Sequence, residues 1–367
     1  MGHAQVPSTY YGNFQGHLSD SSTRKRYLVN AMTNLSPADS TFTGLTHPGV
    51  SVILPILNEE AHLRQAVASI LGQKYLGELE IILAVGPSKD RTLAIAQELA
   101  AENSALIVVE NPTGRTATAL NLAIGAARFP IICRIDGHAQ IAPSYIAQAV
   151  ELLRSTNAVN VGGIMFAQGR TPFERSVATA MKSALGVGSA SFHTGGTAGP
   201  ADTVYLGTFR KTALQQVGGY DERFTRAQDW ELNYRLRQAG GVIWFDPQLV
   251  VKYQPRSNFK TLTKQYFEYG RWRRAVIRNH QNTVNYRYLA PPIAVSLFTI
   301  SVIAGLFIHP FLYLPALGYL SLLLVGAAVI GKSWQEKIIL PSVLMAMHFS
   351  WGIGFILSPR KLIPKAE

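Results

Sequence analysis

From residue 50 onward the chain alternates short apolar runs with amphipathic stretches. The runs cover 50–54, 79–85, 105–109 and 131–135, and a helix-like segment follows each of the first three. Predominantly apolar runs separated by helical periodicity predict a parallel sheet covered on both faces, hence an α/β domain. Helix starts fit this frame. Asn58-Glu59-Glu60 puts carboxylates in a first turn, Ser88 or Asp90 can cap a helix running to Ala101, and further helices fit 116–127 and 143–154. The second half is less regular, with apolar runs at 159–164, 204–209, 242–245 and 249–253, and it predicts a mixed sheet. Three runs of 20 residues then follow, 289–308, 311–330 and 338–357, none containing Asp, Glu, Lys or Arg. At about 1.5 Å per helical residue, each is long enough for a hydrocarbon core of about 30 Å. Residues 1–47, rich in Ser, Thr, Gly and Asn, read as a flexible leader ending at His47-Pro48-Gly49. The expected division is a leader at 1–47, a catalytic domain at 48–285 and a membrane domain at 286–367.

Charge sharpens this picture. Only 15% of residues are charged, against about 25% in an average soluble domain. The net charge is nevertheless +12, and Arg271, Arg273, Arg274, Arg278 and Arg287 crowd before the apolar tail. That placement favours the anionic cytoplasmic lipid surface over nucleic acid. The single cysteine, Cys133, excludes an internal disulfide and reads as strand packing. With no apolar signal at the N-terminus, the catalytic body is expected in the cytoplasm of a multi-pass membrane protein. Only His309 and Pro310 separate the first two apolar runs, whereas Lys332 and Lys337 precede the third and Arg360, Lys361 and Lys365 follow it. Three crossings cannot keep both positive segments inside. The third run, with Pro341, His348, Gly352 and Gly354, therefore either crosses against this rule, re-enters, or lies in the interface.

Ligands of open α/β sheets bind at the carboxyl ends of the strands. There the chain places Pro55-Ile56-Leu57-Asn58-Glu59-Glu60, Gly86-Pro87-Ser88-Lys89-Asp90 and Asp136-Gly137-His138. The first two also suit ordinary turns and caps. A carboxylate and an imidazole two residues apart can converge on one Mg²⁺ or Mn²⁺, whose natural partner is the diphosphate of a nucleotide sugar; an Asx-type turn is the plain alternative. Asp229 opens a helix and is either a cap or a general base. The mixed aromatic and cationic segment 265–272 suits either an interfacial belt or a site. The Gly-rich stretch 186–199 is expected as a mobile loop over the acceptor, with Asp202 and Arg210 on the acceptor side.

Taken in order, Pro55 to Glu60, Ser88-Lys89-Asp90-Arg91-Thr92, Asn111-Pro112-Thr113-Gly114-Arg115 with Ala119-Leu120-Asn121, Arg134-Ile135-Asp136-Gly137-His138, Val217-Gly218-Gly219-Tyr220-Asp221-Glu222 and Gln228-Asp229-Trp230-Glu231 resemble glycosyltransferase family 2, of GT-A fold, especially its membrane-bound members. The resemblance covers residues 50–280. It implies a Rossmann-like nucleotide-diphospho-sugar transferase with Pro55, Asn58, Glu59 and Asp90 around the nucleoside, and Arg115 and Asp136 also on the donor. It places Asp136 and His138 where the family's metal-binding Asp-X-Asp stands, and Asp229 as the base. Arg271-Trp272 looks like the end of a Gln-X-X-Arg-Trp signature that closes over donor and acceptor, although Gln265 lies too far away to complete it. Asp202 and Gln228 join that closure group, with Gln228 standing where relatives have Glu. Ala84-Val85-Gly86 lacks the Asp that binds a pyrimidine in many relatives, so the base contact is made differently; UDP is the nucleotide favoured. The implied activity is inverting transfer to a lipid-linked saccharide, with transfer to polyprenyl phosphate or a non-catalytic membrane scaffold as alternatives.

Overall fold

The computed structural model describes residues 46–280 and 283–364; nearly all of the expected leader, and Lys365 of the tail, lie outside them. The first half follows the apolar pattern. Strands β1 (Val50–Ile56), β2 (Leu79–Val85), β3 (Leu106–Glu110) and β4 (Ile131–Arg134) are parallel, and helices α1 (Leu63–Leu71), α2 (Thr92–Glu102) and α3 (Thr116–Ala126) connect them. Val50, Val52, Leu54 and Ile56 of β1 face α1, whose Leu63, Ala66, Val67 and Ile70 recur at helical spacing, while Ile53 faces α3. Both faces are thus buried, as a run without polar alternation requires. The helix expected from Asn58 starts only at Leu63. Asn58 adopts the left-handed conformation (φ 56°), which ends helical geometry and leaves Glu59 and Glu60 in the loop.

Beyond β4 the sheet is mixed, as expected. β5 (Gln140–Ile141), α4 (Tyr145–Ser155), β6 (Asn160–Ala167), α5 (Pro172–Met181), the single turns α6 (Ala184–Val187) and α7 (Ser191–Thr194), β7 (Gly199–Pro200), β8 (Tyr205–Arg210), α8 (Lys211–Gln216), α9 (Gln228–Gln238) and β9 (Ile243–Tyr253) follow in sequence. The strand order is β3-β2-β1-β4-β8-β6-β9-β5, with β7 paired to β9. Two expected strands, 242–245 and 249–253, are one. Residues Asp246 to Gln248 continue β9 past a register shift, and a side chain on Gly163 of β6 would overlap the backbone there. The stretch 186–199, expected as one loop, folds around α6 and α7.

Helix α10 (Phe259–Asn279) leads to the apolar helices α11 (Tyr286–Phe307), α12 (Leu314–Ile330, after a 3₁₀ turn at Pro310–Tyr313) and α13 (Trp334–Ile356), each long and apolar enough to cross a membrane. The hairpin of α11 and α12 exposes Leu297, Ile300, Leu306, Leu322 and Val325, a surface suited to lipid. α13 is held differently. At its start the buried Glu336 accepts a hydrogen bond from Thr179 of α5 (3.0 Å), and in its middle His348 Nε2 donates to the Leu185 carbonyl (2.7 Å). At its end Arg274 donates to the carbonyls of Phe355 and Ile356, and Arg278 to those of Ser358 and Pro359. These cations satisfy carbonyls that a helix end leaves unpaired. Contacts advance together along the two chains, Gly270 at Trp351 and Arg278 at Pro359, so α10 and α13 run parallel and side by side. A Cβ on Gly270 would overlap the Trp351 carbonyl, and one on Gly354 that of Phe267, so the backbones touch.

A helix as charged as α10 does not enter hydrocarbon, and α13 is fastened to it and to α5. The expected outcome is that both ends of α13 lie on the catalytic domain's side of the membrane, with His309 opposite. In a Cys133→Ser background, Ser333→Cys and Lys361→Cys should react with impermeant maleimide from the same side as Glu102→Cys, and His309→Cys from the other; labelling of residues 333 and 361 from opposite sides would show that α13 crosses. Gly270→Leu should separate α10 from α13 and cost about 1–3 kcal/mol, read as a lower melting temperature in detergent.

Candidate active site

The loops after β1, β2 and β3 meet at the carboxyl end of the sheet. A Cβ on Gly86 would lie 3.1 Å from the Leu57 side chain and 3.3 Å from Gly114 Cα. Asn58 and Asp90 join the first two loops. The Asn58 N–H donates to Ser88 Oγ (3.0 Å), and Asn58 Oδ1 accepts from the Lys89 N–H (2.8 Å). Asp90 accepts from the N–H of Glu60 through one oxygen and from the N–H and hydroxyl of Thr92 through the other. The Thr92 hydroxyl, more than any other group, holds the Asp90 carboxyl below the usual carboxylate range. Both oxygens are thus spent on the loops, so Asp90 builds the wall of the expected nucleoside pocket. Pro55 pairs in register with Ala84, and Arg115 is exposed at the head of α3. Val85 is buried, with no carboxylate in its place.

The centre of the site is Arg134, the last residue of β4, which the sequence reading named within a motif but gave no role, because it lies inside an apolar run. Its side chain keeps 5% exposure. Nε and one terminal nitrogen donate to Asp136 Oδ1 (3.2 and 3.1 Å), and the other terminal nitrogen pairs with Asp229. Burial disfavours its charge, but Asp136 and Asp229 outweigh that and hold its pKa well above the ordinary value. Asp229, in the first turn of α9, keeps 40% side-chain exposure toward the opening. Burial raises its pKa, Arg134 pulls it back and Asp136 adds to the rise. Ala227, just before α9, sits in the left-handed region (φ 59°), a strained conformation that sets the angle at which Asp229 enters.

Asp136, Gly137 and His138 turn over the β1 loop, and a Cβ on Gly137 would lie 3.0 Å from Glu59 Cγ. His138 Nδ1 is 2.8 Å from Glu59 Oε1, and that hydrogen bond, against the effect of burial, raises the imidazole's pKa. With Nδ1 engaged by Glu59, the neutral ring of His138 would present its Nε2 lone pair, the carboxylate–histidine arrangement found behind metal ligands. Among the described residues no group of three or more His, Cys, Asp or Glu could hold a metal ion. Asp136 and His138 are the pair that would be left to hold Mg²⁺ or Mn²⁺, ions that take much of their shell from substrate phosphate and water.

The structure gathers Glu59, Arg134, Asp136, His138 and Asp229 and sets other candidates apart. Gln228 is buried at the start of α9. Asp202 pairs with Arg237 at 3.3 Å. Arg210 is buried and binds the carbonyls of Ala158 and Leu153, so it braces α4 and does not line an acceptor cleft. Arg271 pairs with Glu268 (2.7 Å), and Trp272 packs on Phe224 (5.9 Å between rings) in the cluster that holds Trp230. Gln265 instead donates to the hydroxyls of Tyr253 and Tyr269. Cys133 is buried packing, its thiol pushed up to about 12 by burial.

Residues 51–218 match the Glycosyl transferase family 2 model. The chain is 29% identical over 316 residues to the succinoglycan biosynthesis protein ExoA of Rhizobium meliloti (strain 1021), across 85% of this chain and 95% of that protein. It is 24% identical over 316 residues to a dolichyl N-acetyl-α-D-glucosaminyl phosphate 3-β-D-2,3-diacetamido-2,3-dideoxy-β-D-glucuronosyltransferase of Methanococcus voltae, across 83% and 95% of the two chains. Among solved structures it shares the fold of the mannosyltransferase PcManGT from Pyrobaculum calidifontis in complex with GDP-Man and Mn²⁺, with TM-score 0.55 and 18% identity over 90% of this chain and 94% of that one. By these matches and by its fold, the chain carries a glycosyltransferase family 2 domain of GT-A fold, followed by three apolar helices.

Proposed function

We propose that this protein is an inverting, metal-dependent glycosyltransferase that moves a sugar from a nucleotide-diphosphate sugar, with UDP as the favoured nucleotide, to a lipid-linked saccharide at the cytoplasmic face of the cell membrane. The observation that carries this reading is the buried Arg134 held between Asp136 and Asp229. It separates two carboxylates with different duties. Asp229 takes the proton of the acceptor hydroxyl as that oxygen bonds to the anomeric carbon, while the bond from that carbon to the diphosphate oxygen breaks on the opposite face. Asp136 and His138 would hold a divalent cation, which supplies the charge that stabilises the leaving diphosphate. Arg134 opposes the effect of burial on Asp229 and so favours the ionised form of the base. Glu59 fixes the His138 ring for its task.

The comparisons support the pathway reading through the relatives' names, one in succinoglycan biosynthesis and one acting on a dolichyl-phosphate-linked sugar. A nucleotide-diphosphate sugar with Mn²⁺ is bound by the mannosyltransferase of the same fold. Three apolar helices beside the catalytic domain keep the site close to lipid-borne acceptors.

The reading is tested by nucleotide release from a panel of UDP-, GDP- and dTDP-sugars with Mn²⁺ and extracted lipids. One donor should be turned over by the wild-type protein, and Asp229→Asn should lower kcat by about 10²–10⁴; an undiminished Asp229→Asn enzyme would remove Asp229 from the mechanism. Arg134→Met takes away the group that lowers the Asp229 pKa. Activity that needs ionised Asp229 rises with pH through that pKa, so the acid limb of the kcat profile should move to higher pH. Glu59→Gln should raise the Mn²⁺ concentration needed for half-maximal rate about 10- to 100-fold, with kcat at saturating metal changing less.

A further inference from the structure

A second cationic centre lies where the catalytic domain meets the first apolar helix. Asn285 caps α11, and Arg287 and Tyr288 occupy its first turn, just before the charge-free run that starts at Leu289. Arg273, on α10, places its guanidinium carbon 4.1 Å from the centre of the Tyr288 ring; that of Arg287 lies 4.8 Å from the same ring. Arg287 donates one hydrogen bond, to the Tyr288 hydroxyl at 2.7 Å. Arg273 also stacks over Trp230 at 4.7 Å, the residue next to Asp229.

Among the described residues, one terminal nitrogen of Arg273 and the Nε of Arg287 are buried without a hydrogen-bond partner, as is Nδ1 of nearby His193. The charges around them do not balance. Desolvation and then Arg287 lower the pKa of Arg273, against Tyr288 and Asp202. Burial, and then Arg287, bring His193 down to about 4, so it is neutral here. Among the described residues the acidic group that acts on Arg273 is Asp202, which is largely exposed and already paired with Arg237. Two guanidinium groups thus share one aromatic ring with buried donors unused, an arrangement that a tetrahedral oxyanion completes through several charge-assisted hydrogen bonds.

We propose that Arg273 and Arg287, with Tyr288 between them, bind the phosphate or diphosphate head of an amphiphilic acceptor whose hydrocarbon chain lies along the apolar helices. This assignment rests on the reading above. The donor diphosphate is already assigned to Asp136 and His138, neither of which touches these arginines. Arg287 stands at the polar end of the α11 apolar run, the depth at which a lipid phosphate sits. The contact of Arg273 with Trp230 puts that phosphate beside the helix that carries the base, so the sugar attached to it would extend toward Asp229.

The test uses the purified full chain in detergent and farnesyl diphosphate as the probe, with binding measured by calorimetry in the absence of donor. The wild-type protein should bind the probe but not farnesol, and R273Q and R287Q should each weaken binding at least tenfold. Binding of UDP with Mn²⁺ should be unchanged in both variants, which also shows that they are folded. R287K, which keeps the charge but not the planar fork, should fall between wild type and R287Q. Equal probe binding by wild type and R287Q would overturn the proposal, as would an equal loss of UDP binding in folded R273Q. Displacement of the probe by phosphatidylglycerol nanodiscs at matched phosphate concentration would also overturn it, identifying a general headgroup anchor. Because these readouts need no turnover, a protein that binds the probe as expected yet releases no nucleotide would refute the enzymatic reading and leave the anion site standing.

Discussion

The site is organised by one ion-paired arginine. Arg134 ends a strand whose other residues are fully buried, and a guanidinium in that position has no access to bulk water. Left without a partner, such a buried charge would cost about 3–5 kcal/mol. Asp136 follows it on the same strand end, and Asp229 arrives from α9, nearly a hundred residues later. The pairing therefore fixes the distance between the two halves of the domain at the point where chemistry occurs. It explains why Ala227 tolerates a left-handed backbone: the turn that delivers Asp229 must meet a guanidinium already in place. The same contact places one cation between two carboxylates in a partly closed cleft.

Helix α10 joins this centre to the membrane region. One side carries Trp272, which packs with Phe224 and Trp230 against α9, and another lies against α13 with glycine at the closest points. Its arginines serve several ends at once: Arg274 and Arg278 terminate α13, Arg271 pairs within α10, and Arg273 turns toward Tyr288. The positive charge that the sequence concentrates before the apolar tail is thus largely committed to specific partners. A general attraction to anionic lipid accounts for less of it than composition suggests.

The parallel half of the fold was legible because pattern and burial coincide there: short apolar runs without polar alternation, separated by helical stretches, read as strands covered on both faces. Asp136, His138 and Asp229 could be picked out as candidates because they stand at or just past strand and helix ends, where ligands of such sheets bind. Three things were not legible. Arg134 sits inside an apolar run, and nothing local distinguishes a charge neutralised by distant carboxylates from one at a strand's edge. The late start of α1 depends on the left-handed Asn58, fixed by Ser88 and Lys89 from another loop. The side-by-side placement of α10 and α13 depends on glycine contacts between segments about eighty residues apart, so the hydropathy of α13 reported its length and apolarity but not its direction.

The contact between α10 and α13 bears on how the protein is made. Synthesis runs from the N-terminus, so every residue of the catalytic cleft leaves the ribosome before α13 does. Until then α10, which packs against α9 through Trp272 and Trp230, has no α13 backbone to rest against. The contact between the two helices is therefore the last of the long-range contacts around α10 to form, after every residue of the cleft has been made.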